Sequence, residues 1–275
     1  SNGWKKSNLN LITSGRMNMK NLNLSEQART IPKPVTERIH RWFAGVLLFV
    51  AGDFLVRSLR HRGPLPLQER TRWLQRASRR GLRVFGVQIE AHGPRPETGL
   101  LVSNHLSYLD ILVLAELLLA VFVSKSEIKN WPVFGWLGRM AGTLFIERAR
   151  RSDVGRMGAE IRAVLAGGHV VVLLPEGTSW NGRALLPFKS SLREPIVGSP
   201  HPLSVAGIRY TLAEGSVEND VCYWGDMAFL PHLVRLMSRK QVRAQVRFAT
   251  IGERAADRKD LARQLHAAVL PLQAK

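Results

Sequence analysis

Apolar residues along this chain follow two regimes. Up to about residue 85 they recur at helical spacing, and from Gly86 onward short strand-like runs alternate with helical ones. The first regime contains an apolar segment, residues 42–56, broken once by Asp53. Arg38 and Arg41 precede it, and Arg57, Arg60 and Arg62 follow. It falls short of the roughly 20 apolar residues a membrane-crossing helix needs, and positive charge on both flanks suits a helix that dips into one leaflet and returns. A buried core helix fits the same pattern. Pro64 and Pro66 then break the chain, and a second helix is predicted over residues 67–85. Trp73, Leu74, Ala77, Leu82 and Phe85 fall near one face, while Arg70, Arg72, Arg76, Arg79, Arg80 and Arg83 crowd the rest. That face reads either as a lipid-headgroup contact or as a solvated basic surface.

In the second regime, strands are predicted at residues 87–91, 99–103, 120–124, 143–146, 170–174, 203–208 and 242–251. Helices are predicted at 109–119, 133–140, 153–166 and 255–269, the last with Leu261, Leu265 and Val269 on one face. The alternation implies an α/β fold: a mixed, mostly parallel sheet flanked by helices, with an N-terminal membrane-associated helical pair. The expected organisation is a disordered or added leader at 1–30, rich in Asn, Lys and Ser, a basic helical lobe at 31–85, and an α/β domain at 86–275.

Charge changes the picture more than apolar content does. Forty Lys and Arg face 21 Asp and Glu, a formal net charge of +19, which calls for an anionic partner: a bilayer surface, phosphorylated substrates or nucleic acid. No zinc-finger or helix-turn-helix pattern accompanies the charge, so a specific nucleic-acid partner is not expected. The single cysteine, Cys222, excludes an intrachain disulfide and a cysteine metal cluster, and the eight histidines show no HExxH spacing. No metal is expected.

The sharpest chemical signal is Ser103-Asn104-His105-Leu106-Ser107-Tyr108-Leu109-Asp110, at the turn from a predicted strand into a predicted helix. A neutral imidazole at His105 can take a proton from a hydroxyl. Asp110, five residues on, could reach back to fix the ring tautomer and stabilise the imidazolium. The bland alternative is a helix-capping histidine and an aspartate paired with a basic neighbour. No GxSxG elbow is present, and Cys222 lies outside any nucleophile setting, so the pair suggests that a substrate hydroxyl itself attacks a thioester.

Three further blocks sit at predicted strand ends: Gly142-Thr143-Leu144-Phe145-Ile146-Glu147-Arg148, Leu174-Pro175-Glu176-Gly177-Thr178 and Pro202-Leu203-Ser204-Val205-Ala206-Gly207-Ile208-Arg209. Together and in this order, the four blocks resemble the glycerophospholipid acyltransferase family, which includes the bacterial 1-acyl-sn-glycerol-3-phosphate acyltransferases. The resemblance implies that His105 is the general base and Asp110 its partner. It places acceptor binding on Asn104, Lys125, Arg148, Glu176, Gly177 and Thr178. It implies no cofactor, an acyl-CoA or acyl-carrier-protein donor, a lysolipid acceptor, and a monotopic or peripheral place on the cytoplasmic face of the inner membrane. Lysophosphatidate, giving phosphatidic acid, is the expected acceptor. Two departures bear on that choice: Ser179 stands where the family commonly has Arg, and Val205 stands in the approximate place of a second proline. Arg183 is the candidate replacement cation, and lyso-ornithine lipid, a zwitterion without phosphate, is the competing acceptor.

Overall fold

The computed structural model describes residues 33–131, 133–146, 151–189, 199–239 and 241–274. Among the described residues, seven strands form one sheet in the order β1-β7-β6-β2-β5-β3-β4. They are β1 (Val87–His92), β2 (Gly99–Ser103), β3 (Ala120–Lys125), β4 (Leu144–Ile146), β5 (Val170–Leu173), β6 (Leu203–Thr211) and β7 (Val242–Ile251). All neighbouring pairs are parallel except β6 with β7. The sheet is therefore mixed and mostly parallel. Every residue of β2 and β5 is buried, as expected of central parallel strands covered on both faces.

Period-two alternation divides the core in two. Leu101 of β2 and Ile208 of β6 face one layer, Leu100 and Val205 the other. The second layer is closed by α5 (Arg151–Ala166), through Met157, Ile161 and Leu165, and by α8 (Arg258–Val269), through Leu261, Leu265 and Val269. The first layer is closed by α2 (Leu67–Val84), α3 (Leu109–Leu117) and α7 (Phe229–Ser238), with Trp73, Leu82, Leu114 and Leu233 almost wholly buried. Each such side chain contributes about 1.5–3 kcal/mol by leaving water. Between them run α4 (Phe134–Ala141) and the short α6 (Val217–Asp220).

The N-terminal region does form a helical pair. Residues 42–56 are the middle of one continuous helix, α1 (Lys33–His61), so the segment does not turn back on itself; the chain returns along α2 after residues 62–66. No helix among the described residues is long and apolar enough to cross a membrane. Asp53 is paired with Arg57 at 3.0 Å. Trp73 ties α2 to α1, donating from its indole N–H to the Val50 carbonyl (3.2 Å) and meeting Phe54 edge-on at 5.1 Å.

The arginine face of α2 is largely engaged within the protein. Arg70 donates to the Met140 carbonyl at 2.9 Å and to the Arg139 carbonyl, satisfying last-turn acceptors of α4. Arg72 pairs with Glu69, Arg79 with Glu116, and the Arg80 guanidinium lies over the Phe49 ring. The unpartnered apolar surface is on α1 instead. Leu48, Leu55 and Leu59 are 73%, 59% and 68% exposed and share one stripe, with Phe49 and Val56 beside it.

Three differences from the sequence pattern matter. α6 and α7 were not predicted. α8 starts at Arg258, behind Asp257, whose carboxylate caps the Lys259 and Asp260 N–H groups. β6 continues three residues past Ile208 because β7 pairs with it as far as Thr211.

Candidate active site

The β2-to-α3 turn carries the catalytic candidates. β2 ends at Ser103 in the middle of the sheet and α3 begins at Leu109, leaving 104–108 as a short loop at the carboxyl ends of the parallel strands. Asp110 lies in the first turn of α3, fully buried, and its carboxylate folds back over this loop. Oδ2 accepts from the Leu106 N–H (2.6 Å), the Ser107 N–H (2.9 Å) and His105 Nδ1 (2.8 Å). Oδ1 accepts from the Tyr210 hydroxyl at 2.7 Å. Surrounded by donors, the carboxylate calls for a proton on Nδ1, and this leaves the Nε2 lone pair of His105 to act as a base. The His105 side chain is 20% exposed.

A second buried carboxylate braces the loop from behind. Glu176 Oε1 accepts from the His105 N–H at 2.6 Å and Oε2 from the Leu186 N–H at 3.0 Å. Burial raises this carboxyl to about 7 against the two backbone bonds, which pull it down. Each oxygen accepts from a backbone N–H, so Glu176 clamps the loop. Asn104 is fully buried, its amide N–H donating to the Ile208 carbonyl (2.9 Å) and its amide oxygen accepting from the Ile208 N–H (2.7 Å), so it stitches the loop to β6.

His105 stands on the wall of a cavity of about 340 Å³ that reaches α1 and α2. Val46, Val50, Trp73, Leu74, Ile111 and Phe122 supply part of its mostly apolar wall. The same wall includes Lys125, Gly177, Thr178, Ser179 and Tyr223. Gly177 turns the chain there with φ +72°, a left-handed conformation that suits glycine. Arg148 lies outside the described residues. Arg183 does not reach this cavity's wall: it forms a fork on Glu218 (2.9 and 2.7 Å) beside a separate groove. Ser179 donates its hydroxyl to the Tyr223 carbonyl.

No group of three His, Cys, Asp or Glu among the described residues is placed to hold a metal. The Cys222 thiol is buried and pushed up to about 12 by desolvation first. Reasoning from sequence missed Tyr210, the clamp role of Glu176 and the aromatic wall. Tyr108 and Tyr223 stack edge-on at 5.6 Å, and Tyr108 meets His232 Nδ1 at 3.1 Å. Burial lowers His232 to about 4, so it is a neutral imidazole.

A buried aspartate thus holds a histidine on the wall of an apolar cavity, an arrangement able to take a proton from a bound hydroxyl. The chain belongs to the acyltransferase family, whose profile matches residues 85–203. It is 35% identical to the lyso-ornithine lipid O-acyltransferase of Rhizobium meliloti strain 1021, over 70% of this chain and 72% of that one. It is 31% identical to the 1-acyl-sn-glycerol-3-phosphate acyltransferase of Neisseria meningitidis serogroup B, over 68% and 74% respectively. The crystal structure of the 1-acyl-sn-glycerophosphate acyltransferase PlsC from Thermotoga maritima superposes with a TM-score of 0.59, covering 88% of this chain and 95% of that one at 18% identity. The protein is thus an acyltransferase, and the relatives it matches are named for acylating lysolipids.

Proposed function

We propose that the acceptor is lyso-ornithine lipid, acylated on its free hydroxyl by an acyl-CoA or acyl-carrier-protein thioester. The observation behind this reading is Ser179, which follows Thr178 where the family resemblance leads one to expect arginine. Ser179 spends its hydroxyl on the Tyr223 carbonyl, and Arg183, the candidate substitute, is forked onto Glu218 beside the other groove. A phosphate dianion calls for guanidinium at that position, whereas a zwitterionic head group does not. The relatives named as lyso-ornithine lipid O-acyltransferases add support at 34–36% identity. The second reading, lysophosphatidate, rests on Lys125 at the cavity wall and on Arg148.

In the proposed reaction, His105 Nε2 removes the proton from the acceptor hydroxyl as its oxygen bonds to the thioester carbonyl carbon. Asp110 stabilises the imidazolium so formed. The tetrahedral intermediate expels the thiolate, and the imidazolium returns the proton to sulfur, leaving an ester and a free thiol. The apolar cavity excludes water from an acyl chain and strengthens the His105–Asp110 interaction. We further propose that the exposed stripe of α1 rests in the membrane interface, where both lipid tails emerge, with the chain's positive charge toward anionic lipid.

The test is mass spectrometry of products from purified protein given lyso-ornithine lipid and lysophosphatidate separately, each with both thioester donors. Lyso-ornithine lipid is expected to be acylated with the higher kcat/KM. Preference for lysophosphatidate overturns the acceptor assignment, and no thiol release with either acceptor overturns the reading as a whole.

A further inference from the structure

We infer that Tyr210 is a positioning residue for catalysis: its hydroxyl, 2.7 Å from Asp110 Oδ1, sets the rotation of the carboxylate that steers His105. This deepens the reading of His105 and Asp110 as base and partner, and rests on it.

The two oxygens of Asp110 are held unequally. Oδ2 takes the His105 ring and two loop N–H groups, all from residues within five positions of Asp110 in sequence. Oδ1 takes a bond from another element, the Tyr210 phenol. The terminal torsion of an aspartate is broad, so one anchored oxygen does not define the carboxylate plane. A donor on the far oxygen does.

Tyr210 can supply that donor because of the sheet. β2 pairs with β6 as far as Ala206, and β6 then runs beyond the end of β2 because β7 pairs with it across Tyr210↔Ala244 to Thr211↔Arg243. The phenol therefore stands over the catalytic loop on a paired strand, 3% exposed, on the same face as Ala206 and Ile208. The loop is sewn to this strand two residues earlier by Asn104 and Ile208. Burial and the neighbouring Asp110 charge hold the phenol protonated well beyond its usual range, so it remains a donor throughout the working range of pH.

Without the phenol, Oδ1 would be a buried anionic oxygen with no donor beside it among the described residues, and the carboxylate would turn to share its charge differently. The titratable groups around it are His105 and Tyr108 from its own loop, Glu176 after β5, Tyr210 on β6 and Cys222 after α6. A phenol that draws charge from Asp110 also weakens the hold of that carboxylate on a protonated His105. Its removal should therefore make the ring keep its proton to higher pH.

The experiment is Tyr210→Phe, which keeps the ring and deletes one oxygen. The expected result is a loss of about tenfold in kcat, the usual worth of a hydrogen bond to a charged group, with KM within twofold of wild type. The acid limb of the kcat/KM profile should move upward by about half a pH unit or more. Unchanged kcat overturns the inference. So does a fall in kcat and thermal stability with the acid limb unmoved, which is the mark of a purely structural tyrosine. If Tyr210→Phe does not fold, the chain's three tyrosines allow fluorotyrosine labelling of the otherwise native protein. The resonance of Tyr210, assigned by subtraction with Tyr108→Phe and Tyr223→Phe, should shift in Asp110→Asn, and an unmoved resonance overturns the inference. Full activity in His105→Ala would instead sink the base assignment, and an inactive His105→Ala beside an unaltered Tyr210→Phe would sink the tyrosine alone.

Discussion

Replacing Asp110 by Asn separates the orientation of His105 from the charge behind it. The Asp110 Oδ2 position accepts three donors, the Leu106 and Ser107 N–H groups and the His105 ring. An amide there will turn its oxygen toward all three and its NH₂ toward the Tyr210 hydroxyl, which can rotate to accept. The ring tautomer is then preserved, and the negative charge is what goes. At an effective dielectric of about 20, two unit charges about 4 Å apart interact by about 4 kcal/mol. The amide dipole returns part of that, so about 3–4 kcal/mol of imidazolium stabilisation is lost, or about 10²–10³-fold in kcat. This is less than the roughly 10⁴-fold cost when the same exchange flips the tautomer in a serine-protease triad. Stability should hardly fall, since a buried charge disappears while its donors keep an acceptor. The assay is continuous thiol release from the thioester with lysolipid acceptor, with thermal unfolding in parallel. A variant within tenfold of wild-type kcat would show that Asp110 does not stabilise a protonated His105 during turnover, and the proposed mechanism would be refuted.

Other consequences follow from the same geometry. His105→Ala should abolish transfer with thermal stability close to wild type, because the ring is partly exposed and Asp110 keeps three other donors; circular dichroism and thiol release check this together. Glu176 is raised from 4.5 to about 7, so between those values the folded protein holds a proton that the unfolded chain releases. Stability therefore declines as pH rises through that window, by at most about 1.4 kcal/mol per pH unit, and Glu176→Gln should flatten the decline in melting temperature. Leu55→Asp with Leu59→Asp should release the protein from anionic liposomes in a flotation assay while leaving turnover of detergent-dispersed acceptor intact; unchanged flotation would remove α1 from the interface. Excising the whole helical pair is the poorer test, since Trp73, Leu74 and Leu82 of α2 belong to the main core.

Much of the molecule could be read from local pattern. The apolar runs at 100–102 in β2 and 170–173 in β5 have no polar position to expose and suit central strands, and helical spacing located α2, α3 and α5. The pairing of His105 with Asp110 was legible because both groups lie in one strand-to-helix turn, within the reach of local geometry. What escaped was contact between distant parts of the chain. Asn104 and Glu176 bond to Ile208, His105 and Leu186, partners that only folding brings near. Tyr210 lay just past the predicted end of its strand, and what extends β6 is its antiparallel partner β7, more than thirty residues on in the chain. The arginines of α2 spelled a lipid surface in sequence, but several are spent on a helix end, on carboxylates and on a ring, and the open apolar stripe lies on α1. Periodicity and turn chemistry act over a few residues and are written in the chain, whereas the partner that satisfies a buried polar group is chosen by how the strands are ordered in the sheet.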